Sequence, residues 1–207
     1  GDMFYIHNPD VVVHLAAVVS GVEDNIKRPY SHFAENVLMN TNMLEAARYH
    51  KCPRFLGMLS TCVYPDVASS YPIKEGQLHE SAPTPTNFSY GYAKRMLAVQ
   101  TEACNKEHGT SFQYLLPCNI YGENDKWDDS RSHYVAALIK KIHAAKENNA
   151  NSIRLFGTGT PLRQFIYAGD VAQIIKHFIE NNITDSVNIA PNETYTIREI
   201  ANTALKA

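Results

Sequence analysis

Short apolar runs alternate with longer segments in which apolar residues recur at helical spacing. Residues 11–17 form a near-continuous apolar run that is typical of a buried parallel strand, residues 29–50 repeat apolar side chains every three or four positions, and residues 54–59 form a second apolar run. Strand, helix and strand in this order form the unit that builds parallel sheets with a right-handed crossover. The pattern therefore predicts an α/β fold with a doubly wound, Rossmann-like parallel sheet.

The same alternation continues to the end of the chain. A helix over residues 90–108 is expected to end at Gly109, a residue suited to a C-cap. The further predicted elements are strands at 112–116, 153–156, 164–167 and 186–189, a helix at 134–147, a helix that Asp170 caps and that extends to residue 181, and a last helix capped by Thr196. Gly157 and Gly159 are followed by Pro161 and a strand, so they predict a tight turn and not a phosphate-binding loop.

Two polar segments are predicted to be irregular connections. Residues 65–87 are rich in Pro, Ser and Thr, and residues 123–132 form a second polar loop. Long loops in compact domains commonly cover sites. Asn87 and Ser89 stand at the start of the 90–108 helix, where side chains of this type cap the first turn.

Composition excludes several classes of partner. The chain has 207 residues, 44% of them hydrophobic, with a net charge of −2, which is compatible with one sizeable core. The lack of a Lys/Arg run argues against nucleic acid or an anionic membrane as the main partner, and the longest apolar stretch is too short to span a bilayer.

The cysteines and histidines favour a reduced protein without a metal. Four cysteines at irregular spacing contain no Cys-x-x-Cys, which favours a cytoplasmic chain without a zinc site or a disulfide framework. Nine histidines are scattered singly, so no metal is expected.

Candidate chemistry concentrates where the second apolar run ends and the 90–108 helix begins. Ser60 follows that run, and the carboxyl ends of parallel strands are where such sheets bind ligands. Tyr90 and Lys94 stand four apart, on one face of a helix. A nearby ammonium favours phenolate over phenol, so we expect a lowered pKa that lets Tyr90 exchange a proton nearer neutral pH. The Ser60 hydroxyl would contact the same reacting oxygen.

Five motifs together resemble the extended short-chain dehydrogenase/reductase family: His14-Leu-Ala-Ala, Ser60-Thr-Cys-Val-Tyr-Pro, Tyr90-x-x-x-Lys94, Asn119-Ile-Tyr-Gly and Arg163-Gln-Phe-Ile-Tyr-x-x-Asp170. Within that family the chain resembles the GDP-L-fucose synthases, which epimerise GDP-4-keto-6-deoxymannose at carbons 3 and 5 and reduce carbon 4 with NADPH. The Ser-Thr-Cys triplet with a later histidine is the feature most specific to them.

The resemblance implies roles for individual residues. Ser60, Tyr90 and Lys94 match the reduction triad, and Cys62 and His133 match the acid/base pair of the epimerisation. The residues implied in NADP binding are Ala16, Tyr90, Lys94, Asn119 and Ile120. Those implied in binding the nucleotide sugar are Ser60, Thr61, Cys62, Asn119, His133, Leu138, Lys141 and Arg163, with Leu138 on the base or ribose and the two cations on the diphosphate.

The resemblance also implies the organisation of the protein. Residues 1–120 would be part of the NADP-binding domain, and residues 121–207 would contribute to the substrate domain, with 164–190 returning to the Rossmann-like core. The first strands and the Gly-rich phosphate turn are expected to precede Gly1, and Phe156 stands where the family commonly has an indole. The helices at 29–50 and 90–108 are expected to pair across a two-fold axis in a homodimer.

Other interpretations stay open from the residues alone. Cys62 could be a small buried hydrophobe, His133 a surface or capping residue, and Arg163 a brace for its turn through a salt bridge. Another nucleotide-sugar 4-epimerase or 4,6-dehydratase is an alternative, although a dehydratase should carry an acidic residue where Cys62 stands. A catalytically silent cofactor-binding scaffold is the alternative from another class.

Overall fold

The computed structural model describes residues 2–128 and 132–206, so part of the predicted 123–132 loop and Ala207 lie outside the described residues. The strands are β1 (Val11–His14), β2 (Arg54–Met58), β3 (Gln113–Pro117), β4 (Asn119–Tyr121), β5 (Leu162–Arg163), β6 (Phe165–Tyr167), β7 (Val187–Ile189) and β8 (Tyr195–Thr196). The helices are α1 (Asp2–His7), α2 (Val22–Lys27), α3 (Pro29–Tyr49), α4 (Phe88–His108), α5 (Tyr134–Glu147), α6 (Ala168–Glu180) and α7 (Ile197–Lys206).

The main sheet is parallel and confirms the predicted fold class. Its four strands lie in the order β1-β2-β3-β7, with Val11 opposite Arg54 and Leu115 opposite Val187. Neighbouring residues of β2 enter two different cores. Phe55 packs with Leu44 and Leu97 of α3 and α4, whereas Leu56 packs with residues of α6 and β6. A strand covered on both faces must be apolar at successive positions, which explains the continuous apolar run in the sequence.

Two small sheets lie outside the main one. Strands β4 and β6 pair in parallel, and β5 pairs with β8 in antiparallel orientation. The predicted strand at 153–156 is wrong, since these residues form no strand, and β5 takes the corresponding place after the turn. Gly157 and Gly159 both adopt φ of 78°, and the strand that follows them confirms the tight turn.

The predicted helix ends agree with the structure except at two caps. Gly109 adopts the left-handed conformation with φ of 65°, and Thr196 exchanges two hydrogen bonds with Glu199, as a capping box requires. The assignment of Asp170 as a cap is wrong, because the N-cap is Tyr167 and Asp170 lies in the first turn. Asn87 is the N-cap of α4, but its side chain makes no capping hydrogen bond.

Within the described ranges, no helix is both long and apolar enough to cross a membrane. No group of three or more metal-ligating side chains was found in that part of the chain. Cys52, Cys104 and Cys118 are buried free thiols, as their core assignment predicts, and Cys62 is free and half-buried. The division into domains at residue 120 stays a prediction.

Candidate active site

The turn after β2 carries two of the predicted catalytic side chains. β2 is buried along its whole length and ends at Met58. Ser60 follows two residues later, so it lies at the carboxyl end of the sheet. A single 3₁₀ turn follows at Thr61–Val63, and the Ser60 hydroxyl accepts a hydrogen bond from the Cys62 backbone N–H at 3.3 Å. Ser60 and Cys62 are half-buried and Thr61 is exposed, so the turn presents a hydroxyl and a thiol beside the strand end.

Helix α4 approaches this turn so closely that one position requires glycine. A Cβ added at Gly91 would lie 2.5 Å from the Cys62 carbonyl oxygen and 2.9 Å from Pro83 Cβ. Arg95, one turn further along α4, donates from Nε to the Val63 carbonyl at 3.1 Å and from Nη1 to the Ser81 carbonyl at 2.9 Å. These two residues hold the thiol-bearing turn against the helix that carries Tyr90.

Sequence analysis assigned no role to Gly91 or Arg95. A signal for Gly91 was present, because glycine is unfavourable inside a helix and its presence there indicates a close contact. Arg95 gave no comparable signal, since a single arginine in a helix is more commonly a surface residue.

Tyr90 and Lys94 are both buried, with 6% and 2% of their surface exposed. The Lys94 ammonium lies 6.0 Å from the centre of the Tyr90 ring and donates to the Met58 carbonyl at 2.8 Å. Burial lowers the pKa of Lys94 to about 8. The ammonium is thus held at the end of β2 by a backbone carbonyl.

The expectation of a lowered pKa for Tyr90 is wrong for this structure. Burial raises the pKa of the phenol, and a negative charge on Cys62 raises it further. Removing the phenolate from water outweighs an ammonium 6.0 Å away from the ring. Tyr90 is therefore held as the neutral phenol, the form that donates a proton.

Cys62 lies in a mixed environment. Burial raises the pKa of its thiol, whereas a hydrogen bond from Ser60, its own backbone N–H and the positive charge of Arg163 lower it. The Asn87 side-chain amide donates to Cys62 Sγ at 3.6 Å. Polar and cationic groups thus surround a sulfur that the protein largely shields from water.

His133 stands at the start of α5. It is the N-cap residue of that helix, with its side chain 45% exposed and its Nδ1 3.8 Å from Asp125 Oδ1. Within the described residues no hydrogen bond joins it to Cys62. The structure therefore brings Ser60, Cys62, Tyr90 and Lys94 together, and the pairing of Cys62 with His133 stays a prediction.

The predicted cofactor residues lie at the carboxyl ends of β1 and β3. Leu15 and Ala16 are exposed after β1, and Ile120 is exposed in β4, which follows β3. The Asn119 amide donates to the Gln164 carbonyl at 2.9 Å, which ties β4 to the start of β6. Exposed apolar side chains pack well on a flat ring, and the buried ammonium of Lys94 can donate hydrogen bonds to hydroxyl groups. This edge of the sheet therefore suits a ligand that carries both.

Buried polar residues hold the segment after β1, and His14 belongs to a motif recognised in the sequence whereas Asn36 and Asn40 do not. His14 Nε2 lies 2.9 Å from Asn40 Oδ1, and Asn36 hydrogen-bonds both backbone groups of Val18, at 3.0 and 2.8 Å. Burial lowers the pKa of His14. The four-residue spacing of Asn36 and Asn40 was visible in the sequence, but their burial on α3 was not.

Among the predicted substrate residues, Thr61, Asn119, His133 and Arg163 are exposed, Ser60, Cys62 and Lys141 are half-buried, and Leu138 is buried. Lys141 Nζ lies 5.1 Å from the centre of the Phe156 ring, and Phe156 is 92% exposed. Arg163 is exposed and donates to the Leu162 carbonyl at 2.7 Å. No carboxylate within residues 2–128 and 132–206 forms a salt bridge with it, so the brace interpretation lacks its partner there.

The assignment of Leu138 to base or ribose binding is wrong for this structure. Leu138 is 1% exposed, so its side chain is packed inside the protein. Leu138 and Lys141 share one side of α5, but the shorter leucine lies in the interior while the longer lysine extends to the Arg154 carbonyl at 3.2 Å.

Comparison with known proteins gives consistent relatives. A GDP-L-fucose synthase of Dictyostelium discoideum is 40% identical over 83% of this chain and 52% of its own length. A GDP-L-colitose synthase of Yersinia pseudotuberculosis is 34% identical over 93% of this chain and 63% of its own. The crystal structure of a GDP-L-fucose synthetase from Naegleria fowleri bound to NADP has a TM-score of 0.87 and 32% identity, covering 97% of this chain and 66% of that one.

The chain spans between about half and two thirds of the length of the curated relatives it matches. The sequence model of the NAD dependent epimerase/dehydratase family matches residues 2–190. With its parallel sheet and its Ser, Tyr and Lys at the carboxyl edge, this chain belongs to the NAD dependent epimerase/dehydratase family.

Proposed function

We propose that this chain is part of an NADPH-dependent enzyme that epimerises GDP-4-keto-6-deoxymannose at carbons 3 and 5 and reduces carbon 4, giving GDP-L-fucose. The observation that carries the proposal is the packing of the Cys62 turn against α4 at Gly91, which places a thiol beside the Tyr90 phenol. A reductase alone needs the phenol, whereas proton abstraction from carbon needs an additional acid/base group. The relatives named GDP-L-fucose synthase support the same activity.

For the reduction, Tyr90 is the proton donor to the carbonyl oxygen and Ser60 donates a hydrogen bond to the same oxygen. The neutral state of the buried Tyr90 suits this role, because a phenol with a raised pKa carries the proton at neutral pH. Lys94 lies against the Tyr90 ring and holds positive charge near the phenolate that results.

For the epimerisation, Cys62 and His133 act as the acid/base pair on opposite faces of the sugar. One group removes a proton from the carbon next to the ketone, the electron pair moves to the oxygen as an enolate, and the other group returns a proton. Ser60 and Tyr90 stabilise the enolate oxygen. His133 stands at the start of α5 with 45% of its side chain exposed, so a sugar can reach it from solvent.

The cofactor in this proposal is NADPH, which supplies the hydride for carbon 4 when bound. Lys94, Tyr90, Ala16, Asn119 and Ile120 would hold it. Within the described residues, the buried ammonium of Lys94 donates one hydrogen bond, to the Met58 carbonyl. Its other N–H groups are therefore available to hydroxyl groups of the cofactor. The Naegleria relative was solved with NADP.

The nucleotide diphosphate would lie over Lys141 and Arg163. Both cations are held by backbone carbonyls, at 3.2 Å and 2.7 Å, and neither pairs with a carboxylate among the residues described. Phosphate oxygens would therefore provide their first strong anionic partner. Thr61 and Asn119 are exposed toward solvent near the strand ends and are the proposed contacts to the sugar.

The deciding experiment incubates the full-length protein with NADPH and GDP-4-keto-6-deoxymannose in heavy water. We expect NADPH oxidation together with deuterium at carbons 3 and 5. Cys62→Ser should lose the deuterium exchange yet still oxidise NADPH when given the epimerised ketone. Exchange at the wild-type rate in Cys62→Ser would make the thiol a packing residue and favour a reductase without double epimerisation.

GDP-L-colitose is the second candidate product, because the Yersinia relative has 34% identity over most of this chain. Chromatography of the nucleotide sugars formed from GDP-4-keto-6-deoxymannose and from the 4-keto precursor of GDP-L-colitose separates these candidates. Absence of NADPH oxidation with either substrate would favour the silent scaffold.

We further propose that the enzyme is a homodimer that pairs α3 and α4 across a two-fold axis. The two helices already pack together, with Gln100 donating to Thr41 at 2.6 Å. Tyr30, Leu38 and Val99 leave apolar surface exposed on them. Light scattering of the full-length protein tests this, and a monomer at micromolar concentration would contradict it. A cytoplasmic location stays a prediction.

A further inference from the structure

Asn87 stands at a helix start but does not cap the helix. Asparagine is among the most favoured N-cap residues because its side-chain oxygen accepts hydrogen bonds from the first turn. In α4 this bond is missing, although Asn87 occupies the N-cap position. Its side chain is turned so that Nδ2 lies 3.6 Å from Cys62 Sγ. The side chain therefore donates a hydrogen bond to the thiol and does not cap the helix.

We propose that Asn87 is a positioning residue that donates an N–H to Cys62 Sγ and so orients the thiol and stabilises its thiolate. Nothing in the sequence motifs assigned a role in the chemistry to this residue. The inference rests on the proposed function, because a thiolate is needed only if Cys62 takes part in proton transfer.

The surroundings of Cys62 show why a further donor matters. Among the described residues, the titratable and charged groups that interact electrostatically with Cys62 are Tyr90 from α4 and Arg163 from β5. Burial raises the pKa of the thiol, and a fixed N–H dipole counteracts this because it favours the charged form. An amide donor also cannot lose its proton to the thiolate, so it stabilises the anion without competing for the substrate proton.

The position of Asn87 also explains how orientation is achieved. It precedes Tyr90 by three residues at the start of the same helix, and Gly91 fixes that helix against the Cys62 carbonyl. One rigid element therefore sets the phenol, the amide donor and the close approach to the thiol turn. A sulfur held in this way keeps a constant direction relative to the phenol that stabilises the enolate.

In the proposed step the thiolate accepts the proton from the carbon next to the ketone. The S–H bond forms as the C–H bond breaks, and the electron pair of that bond moves to the ketone oxygen. The Asn87 N–H keeps its proton throughout. Before the step, it increases the fraction of Cys62 that is ionised and fixes the orientation of the sulfur.

The first test measures the pKa of Cys62 without substrate, from the pH dependence of its alkylation by iodoacetamide. Cys62→Ser gives the background from the other three cysteines. We expect Asn87→Ala to raise the pKa by about one unit, leaving about tenfold less thiolate at neutral pH, because the charge-stabilising hydrogen bond is lost. Asn87→Asp should raise it further, since a carboxylate repels the thiolate while keeping an N-cap acceptor for α4.

The matched control is Thr86→Ala, one residue earlier in the same 3₁₀ turn at Pro85–Asn87, because within the described residues Thr86 makes no hydrogen bond to Cys62. It should leave the alkylation profile unchanged. An unchanged pKa in both Asn87 variants would overturn the proposal and make the contact simple packing.

The second test uses the active full-length protein. Asn87→Ala should slow deuterium incorporation at carbons 3 and 5 about tenfold, in line with the loss of thiolate, and change NADPH oxidation with the epimerised ketone less than twofold. Equal losses in both reactions would overturn the positioning role. The alkylation test needs no substrate, so a pKa shift in a protein that lacks epimerase activity would reject the proposed function alone.

Discussion

The two halves of the candidate site are built differently. On one side, β2, the Thr61–Val63 turn and α4 enclose Tyr90 and Lys94, and the positions of their groups are fixed by packing and by hydrogen bonds to buried backbone. On the other, more exposed side, α5 carries the half-buried Lys141 and β5 carries the exposed Arg163, and both cations are hydrogen-bonded to backbone carbonyls.

The difference separates two tasks. The enclosed half shifts pKa values through burial, which is suited to groups that move protons. The exposed half holds its two cations on neutral backbone carbonyls, where an anion can reach them, which is suited to binding. The predictions that follow test whether the halves divide chemistry and binding in this way.

The largest effect is expected from Tyr90→Phe. Loss of the proton donor should lower kcat for reduction by about 10²- to 10⁴-fold, the usual contribution of general acid catalysis. The fold should be unaffected, because the buried phenol makes no recorded hydrogen bond within the described residues. Stopped-flow measurement of NADPH oxidation and a thermal melt check both points. Deuterium exchange that persists at a reduced rate would agree with a Tyr90 that stabilises the enolate but is not the group that moves the carbon-bound proton.

Arg163→Ala tests the exposed half. We expect KM for the nucleotide sugar to rise about tenfold or more, since a charge-assisted bond to phosphate contributes about 1.5–3 kcal/mol. The melting temperature should stay the same because, within the described residues, the exposed arginine donates a hydrogen bond to the neighbouring Leu162 carbonyl and to no other group. A lowered melting temperature with unchanged KM would assign Arg163 to bracing its turn.

Gly91→Ala tests the enclosed half through packing. The added Cβ would lie 2.5 Å from the Cys62 carbonyl, so the turn or the helix must move. We expect a loss of about 1–3 kcal/mol in the free energy of unfolding, as overpacking commonly causes. Gly76→Ala is the matched control, because a Cβ there meets nothing within 4 Å. Urea unfolding measures the free energies of unfolding of both variants. Equal stability would show that the turn moves away from the added Cβ at little energetic cost.

The smallest effect concerns pH and Lys94. Burial lowers its pKa from the ordinary value of 10.5 to about 8 in the folded protein, so below pH 8 both folded and unfolded states hold the proton and burial of the ammonium is unfavourable. Between those values only the unfolded state keeps the proton, and this group makes stability rise with pH. We expect the unfolding free energy of the wild type relative to Lys94→Met to increase by about 1–2 kcal/mol from pH 7.5 to 9.5. A constant difference would show that the ammonium is not buried.

The sequence predicted the elements of the main sheet well, because a strand that is buried on both faces must be apolar throughout and a long helix repeats its apolar residues. The strands around Phe55 and Leu115 and the helices α3 and α4 follow from this rule. The segment at 153–156 was mistaken for a strand because short apolar runs do not reveal whether a pairing partner exists.

By itself the sequence determined which chemical groups the site contains: the Ser60 and Tyr90 hydroxyls, the Lys94 ammonium and the Cys62 thiol, each in a recognisable local motif. Only the tertiary structure decided their state and their neighbours. The direction of the Tyr90 pKa and the orientation of Asn87 toward Cys62 depend on how closely α4 packs on the turn after β2, whereas the burial of Leu138 depends on the packing around α5. Desolvation and side-chain orientation arise from residues distant in the chain, so a local pattern carries no record of them.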